Sequence, residues 1–231
     1  RGEKDSADKL KKDILTAGWN VNYRRAVQHL ARHGPEAVRE FLLDSLHIPF
    51  ERDQQDVCKL TREGGHSVNR ILYCADYTGK AIMEGLHRAV AMEPNIDVLT
   101  NRMAIDLLTT HHHSTKLEFH YQLANQCVGA YFYNLRTSQV ETLMADVTVL
   151  ATGGVGQVYV HTTNARTSIG SGLSMGYRSG VKTMNCEYIQ FHPTALFQRG
   201  GQQFLISEAV RGEGARFIRM DGTPFMKEYD P

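Results

Sequence analysis

Apolar residues recur along this chain first at helical spacing and then at the shorter spacing of strands. Asp5 to Gly18 reads as a helix, with Ser6 as its N-cap and Gly18 as its stop. Tyr23 to His33 continues at helical spacing, with Ala26, Val27, Leu30 and Ala31 on one face. Gly34-Pro35 then restarts a helix, since proline suits a first turn. Val38, Phe41, Leu42 and Leu46 form its apolar stripe, and Ile48-Pro49-Phe50 closes it. Three packed helices are expected here. Asp76 to Val90 is a further helix, with Ala81, Ile82, Leu86, Ala89 and Val90 inward and Pro94 beyond its end. Ile96 to Leu99 and Met103 to Thr109 are strand-like. Cys127 to Tyr133, Gln139 to Glu141 and Val147 to Leu150 read as strands of a small β-meander and return, the last a buried run. A helix from Leu173 to Val181, opened by Gly170-Ser171-Gly172, follows. The pattern is that of an α/β chain.

The breaks in this pattern carry the candidate chemistry. Leu60 to Val68 holds Gly64-Gly65 between Arg62-Glu63 and His66-Ser67, which suits either a loop brought close to a ligand or an exposed turn. His111-His112-His113 suggests a metal, but three consecutive side chains do not point the same way, and an exposed loop is the simpler reading. Phe191-His192-Pro193-Thr194 reads as a strand end stopped by the proline. Ser207, Glu208 and Arg211 fall within one helical turn and can converge on one volume. An Arg fork and an imidazole together suit a ligand with carboxylates. The plainer alternatives are a His192 that caps a turn and an Arg211–Glu213 ion pair on the surface.

Composition narrows these options. The 231 residues are 42% hydrophobic and 22% charged, as in an ordinary globular protein, and suffice for one large domain or one domain and part of another. A net charge of +1 argues against a nucleic-acid surface. No apolar run of about 18 residues is present, so no membrane span is expected. The N-terminal stretch has no apolar core of a signal peptide. Cys58, Cys74, Cys127 and Cys186 are far apart, which fits reduced thiols in a cytoplasmic protein.

The motifs taken together carry a resemblance. FHPTAL (Phe191–Leu196) followed by SEAVRGEG (Ser207–Gly214) resembles the signature of the succinate dehydrogenase/fumarate reductase flavoprotein family. LTREGGHSVNRILYCADYTGKAI (Leu60–Ile82), CVGAY (Cys127–Tyr131), VLATGGVGQVY (Val149–Tyr159) and MDGTPFM (Met220–Met226) fall in that family's order. TREGGHS with the following ADYTG resembles its aspartate oxidase branch. The resemblance implies FAD as cofactor, with a Rossmann-like FAD-binding domain and β-meander over residues 1–185. Residues 186–231 would begin an α+β capping domain.

It implies that Met103 and Ala104 hold the adenine through backbone groups. Thr152, Gly153 and Gly154 would form a flavin-contacting turn, with Ser171 and Gly172 beside it. It implies that Glu63, His192, Ser207, Glu208 and Arg211 bind substrate. Glu63 would meet the amino group of L-aspartate, which a succinate enzyme does not need. The product would be iminoaspartate, on the route to NAD, with fumarate or oxygen as electron acceptor. Departures are Leu10 for a family His, Ala165 for Pro, Ile169 for Thr, Ser171 for Asp and Ser207 for Thr. No G-x-G-x-x-G is present, and the family's proton-transferring Arg falls beyond residue 231, so no catalytic residue is assigned. The chain reads as an internal portion of a longer protein. The alternatives are a succinate/fumarate oxidoreductase flavoprotein and a non-catalytic remnant. No metal and no nucleic acid are expected, and the partner protein is left open.

Overall fold

Ser6 begins the first regular element. Its extended backbone lets Oγ accept from the Lys9 N–H at 3.2 Å, and helix α1 (Ala7–Ala17) follows. This computed structural model describes residues 4–112, 114–192, 194–196, 199, 203–207, 210 and 214–229. They divide into two compact units, Arg1–Asp97 with Ile206–Pro231, and Val98–Leu205.

In the first unit α1 ends at Gly18, but not by a left-handed glycine. Gly18 has φ −89°, and the left-handed residues are Trp19 (φ 52°) and Asn20 (φ 61°). A Cβ at 18 would meet the Asn22 side-chain amide, which would have to move aside. Helix α2 (Arg24–Ala37) runs through Gly34-Pro35, where the pattern predicts a restart. Proline removes one hydrogen bond and crowds the preceding turn. The chain absorbs this by widening into a π-helical stretch, Val38–Ser45, in which Leu46 N–H reaches Phe41 O at 2.9 Å. Burial of Ala31 before the proline and Leu46 after it holds the run together. Leu30, Val38 and Phe41, expected inward, are exposed.

Helix α3 (Thr78–Met92) buries Ala81 and Gly85, while Ala89 is exposed rather than inward. A Cβ on Gly85 would overlap Ile48 Cδ1, so helix and chain pack backbone to side chain there. The core joins Leu46, Ile48, Phe50, Cys74 and Ala81. Burial, aided by the Glu51 charge, pushes the Cys74 thiol up, so it is a packing residue. MDGTPFM forms a turn in which Asp221 Oδ1 accepts from the Thr223 N–H at 2.9 Å.

The second unit is built on an antiparallel meander, β1 (Arg102–Thr109), β2 (Cys127–Asn134) and β3 (Gln139–Met144), in that order across the sheet. Asn134 organises the β2–β3 turn, its Oδ1 accepting from the Arg136 N–H at 2.9 Å. A bulge lies between Ala104 and Asp106. Between β1 and β2 a short helix, α4 (Leu117–Gln122), occupies part of the expected loop. Helix α5 (Ser171–Arg178) packs Met175 on Leu107 and Ala130.

Three strand expectations fail. Ile96–Leu99 and Val147–Leu150 have no ladder partner among the described residues, and Val147 and Val149 are exposed. Apolar sequence alone does not make a strand without a neighbour to pair with. Phe191-His192 is irregular, and regular pairing begins only with β4 (Ala195–Leu196) against β5 (Phe204–Leu205). Among the described residues no helix is long and apolar enough to cross a membrane.

Candidate active site

The turn Ala151-Thr152-Gly153-Gly154 meets the start of α5 through two direct bonds. Gly172 N–H donates to Thr152 Oγ1 at 3.1 Å, and Gly170 N–H to Gly154 O at 3.1 Å. Each small residue has a reason. Gly170 is left-handed (φ 76°), and a Cβ there would lie 2.8 Å from Val155 Cγ2. A Cβ on Gly172 would overlap Thr152 Oγ1. Gly153 has φ 73°, and the space over Gly153 and Gly154 is open. No side chain caps α5, and no acidic residue stands in its first turn. A positive helix end beside an open glycine face suits a flat group that carries or gains negative charge. The residues present therefore fit a flavin. Ser171 supplies a hydroxyl at the first helical position.

The other end of α5 is fastened to β1. Arg178 Nε donates to Asp106 Oδ2 at 3.0 Å and its Nη2 to Ile105 O at 3.1 Å. Burial pushes the Asp106 carboxyl up, but Arg178, the Leu107 N–H and His112 outweigh it and hold it below the ordinary range. A carboxyl lowered in the folded state adds stability that is complete above its unfolded value and lost as pH falls through its folded value. Urea midpoints between about pH 5 and pH 3 are therefore expected to fall more steeply for the native chain than for Asp106→Asn. Ala104 packs on the same Leu107–Met175 cluster, and Met103 is exposed beside it. β1 is an edge strand of the meander, with only β2 beside it among the described residues.

His192 is held by its own loop. Nδ1 lies 2.9 Å from Thr194 O and 3.2 Å from Thr194 N, and Nε2 makes no hydrogen bond among the described residues. The Thr194 hydroxyl is buried with no partner among the described residues, so it is free to meet a polar group. Phe191 sets its ring edge-on to Tyr159 at 5.2 Å, tying this stretch to the segment that follows the glycine turn. His111 Nε2 contacts Leu123 O, and His112 contacts Asp106, so these neighbours serve different partners.

In the first unit, Glu63 stands on the loop between Thr61 and Ile71, exposed, with no hydrogen bond or ion pair on its carboxylate among the described residues. Gly65 (φ 82°) turns this loop. Ser207 accepts the Val210 N–H at its carbonyl, 3.2 Å. Glu208 and Arg211 lie outside the described residues. The structure thus joins Thr152, Gly153, Gly154, Ser171 and Gly172 directly, with Ala104 connected through the α5 core. Thr194 and the Arg178–Asp106 tie were not singled out from sequence. The first was masked by its neighbour His192, and the second spans 72 residues.

A family model described as FAD binding domain matches residues 1–231. L-aspartate oxidase 1 of Ralstonia nicotianae is 41% identical over 228 residues, 98% of this chain and 41% of that protein. L-aspartate oxidase of Vibrio cholerae is 40% identical over 233 residues, 99% of this chain and 42% of that protein. The chain spans about two fifths of the length of these relatives. A quinol-fumarate reductase solved with menaquinol molecules has a TM-score of 0.85 at 25% identity, covering 100% of this chain and 37% of that one. The open conformation of a flavocytochrome c3 fumarate reductase has 0.72 at 26% identity, over 96% of this chain and 37% of that one.

Proposed function

Since the chain belongs to the FAD binding domain family, with FAD as its cofactor, we propose that it is the flavin-holding part of an L-aspartate oxidase. Residues 1–185 belong to a Rossmann-like FAD-binding domain, and 186–231 begin a capping domain. The reaction removes two electrons and two protons from L-aspartate, turning the Cα–N bond into the C=N of iminoaspartate, in the cytoplasmic route to NAD. Bound FAD supplies the two-electron acceptor of that oxidation, with fumarate or oxygen taking the electrons in the end.

The chain's own residues bind and orient. Thr152, Gly153, Gly154, Ser171 and Gly172 hold the flavin, and the backbone of Met103 and Ala104 holds the adenine. His192 offers Nε2 to a substrate carboxylate, with Thr194 beside it. Ser207, Glu208 and Arg211 are assigned to substrate binding on the SEAVRGEG motif alone. The capping domain closes these residues over the substrate.

The observation that carries the choice of substrate is the Glu63 carboxylate on the TREGGHS loop, exposed and without a partner among the described residues. An α-ammonium group wants such a partner, and a plain dicarboxylate is repelled by it. Glu63→Gln is expected to weaken L-aspartate binding about 10- to 100-fold while succinate changes little, read from the dissociation constant of each on the FAD-loaded protein. Equal losses for both would favour the second reading, a succinate/fumarate oxidoreductase, which draws on the likeness in fold to fumarate reductases.

A further inference from the structure

The loop bearing Glu63 is tied to a buried ionic cluster contributed by the N-terminal helix. Asp13, in the middle of α1, accepts three hydrogen bonds at Oδ2. They come from Ser67 N at 2.9 Å, Ser67 Oγ at 2.9 Å and Arg70 Nη1 at 2.7 Å. Arg70 in turn forks onto Asp5, Nε to Oδ2 at 3.1 Å and Nη2 to Oδ1 at 2.8 Å. The side chains of Arg70, Asp5 and Asp13 are 7%, 3% and 11% exposed.

Within the loop, Glu63 N–H points to His66 Nδ1 and His66 N–H to Glu63 O, both at 3.2 Å. At its base Thr61 and Ile71 form a bridge. An unbroken path thus runs from Asp5 through Arg70, Asp13, Ser67 and His66 to the Glu63 backbone. Two carboxylates and a guanidinium removed from water are costly unless well paired, and here each carboxylate is paired with Arg70, so the cluster holds the Ser67 end of the loop firmly.

We propose that Asp13, with Ser67, is a positioning and specificity-determining residue, which fixes the Glu63 carboxylate where it meets the α-ammonium group of the substrate. This rests on the reading of Glu63 given above. Asp13 touches neither substrate nor cofactor in this role. It acts by keeping a charged group in one place, and misplacement of a positioned group by about 1 Å can cost up to about a hundredfold.

The test uses the FAD-loaded protein that carries this chain, with the dissociation constants of L-aspartate and succinate measured side by side. Ser67→Ala is expected to weaken L-aspartate about threefold and Asp13→Asn about tenfold, with succinate held within about twofold. Amide hydrogen exchange over residues 62–68 speeds up in both. Ser67→Thr, which keeps the hydroxyl, restores the native ratio. Should Asp13→Asn fail to fold, the exposed Ser67 pair decides the matter alone. Faster exchange with an unaltered aspartate-to-succinate ratio, or no change in either, overturns the proposal. If Glu63→Gln alters the ratio while the Ser67 and Asp13 variants do not, only the positioning falls. If Glu63→Gln leaves the ratio unaltered, the substrate reading falls first and this inference with it.

Discussion

Replacing Arg70 by methionine is expected to destabilise the protein by about 3–5 kcal/mol, because it leaves buried carboxylates without their cation. Arg70 is the only group that touches both Asp5 and Asp13 through charged bonds among the described residues. Methionine fills much of the volume but supplies no donor. The pH dependence separates this from a packing loss. In the native chain burial pushes the Asp13 carboxyl up, but Ser67 and Arg70 overcome it and hold it below the ordinary range. Its contribution is therefore present above the ordinary carboxylate range and lost as pH falls through the lower folded value. In the variant, protonating Asp13 relieves an uncompensated charge. The gap in urea stability between native and Arg70→Met should narrow as pH falls. A gap that stays constant with pH would assign the loss to packing alone.

The second large effect concerns Gly172→Ala. Helix propensity alone favours the change by about 1 kcal/mol. The structure predicts the opposite, because the added methyl meets the Thr152 side chain, with Cγ2 at 3.1 Å and Cβ at 3.2 Å as well as the hydroxyl. Threonine is stiff about χ1 and has little room to yield, and its hydroxyl would also lose the Gly172 N–H. Separating the glycine turn from α5 by this overpacking should weaken FAD about 10- to 100-fold. Gly79→Ala in α3 is the control. Nothing lies within 4 Å of its Cβ, so it should gain about 0.5–1 kcal/mol and leave FAD affinity unchanged. Fluorescence or visible titration with FAD reads both.

The elements that were legible in the sequence are those decided locally. The Ser6 cap, the β2 and β3 strands and the glycine-opened α5 each depend on residues within a few positions. Gly34-Pro35 reads as a helix restart because proline suits a first turn, while here burial on both sides carries α2 through the proline and on into a π-helical run. Val147–Leu150 had the composition of a buried strand, but pairing is a property of neighbours that a single segment does not contain. The candidate site shows the same division. Its glycines are visible as motifs, and their reasons are distances to Val155 and Thr152. The ties that hold it, Asp13 to Ser67 and Arg178 to Asp106, span 54 and 72 residues and leave no periodic trace.

The proposed oxidation depends on Glu63 selecting an amino acid over a plain dicarboxylate. The direct measurement is the visible flavin spectrum of the FAD-loaded protein that carries this chain, mixed without oxygen with L-aspartate and, separately, with succinate. L-aspartate is expected to bleach the flavin absorbance, succinate to leave it largely intact, and Glu63→Gln to abolish most of the difference. Bleaching by succinate and not by L-aspartate would contradict this selection.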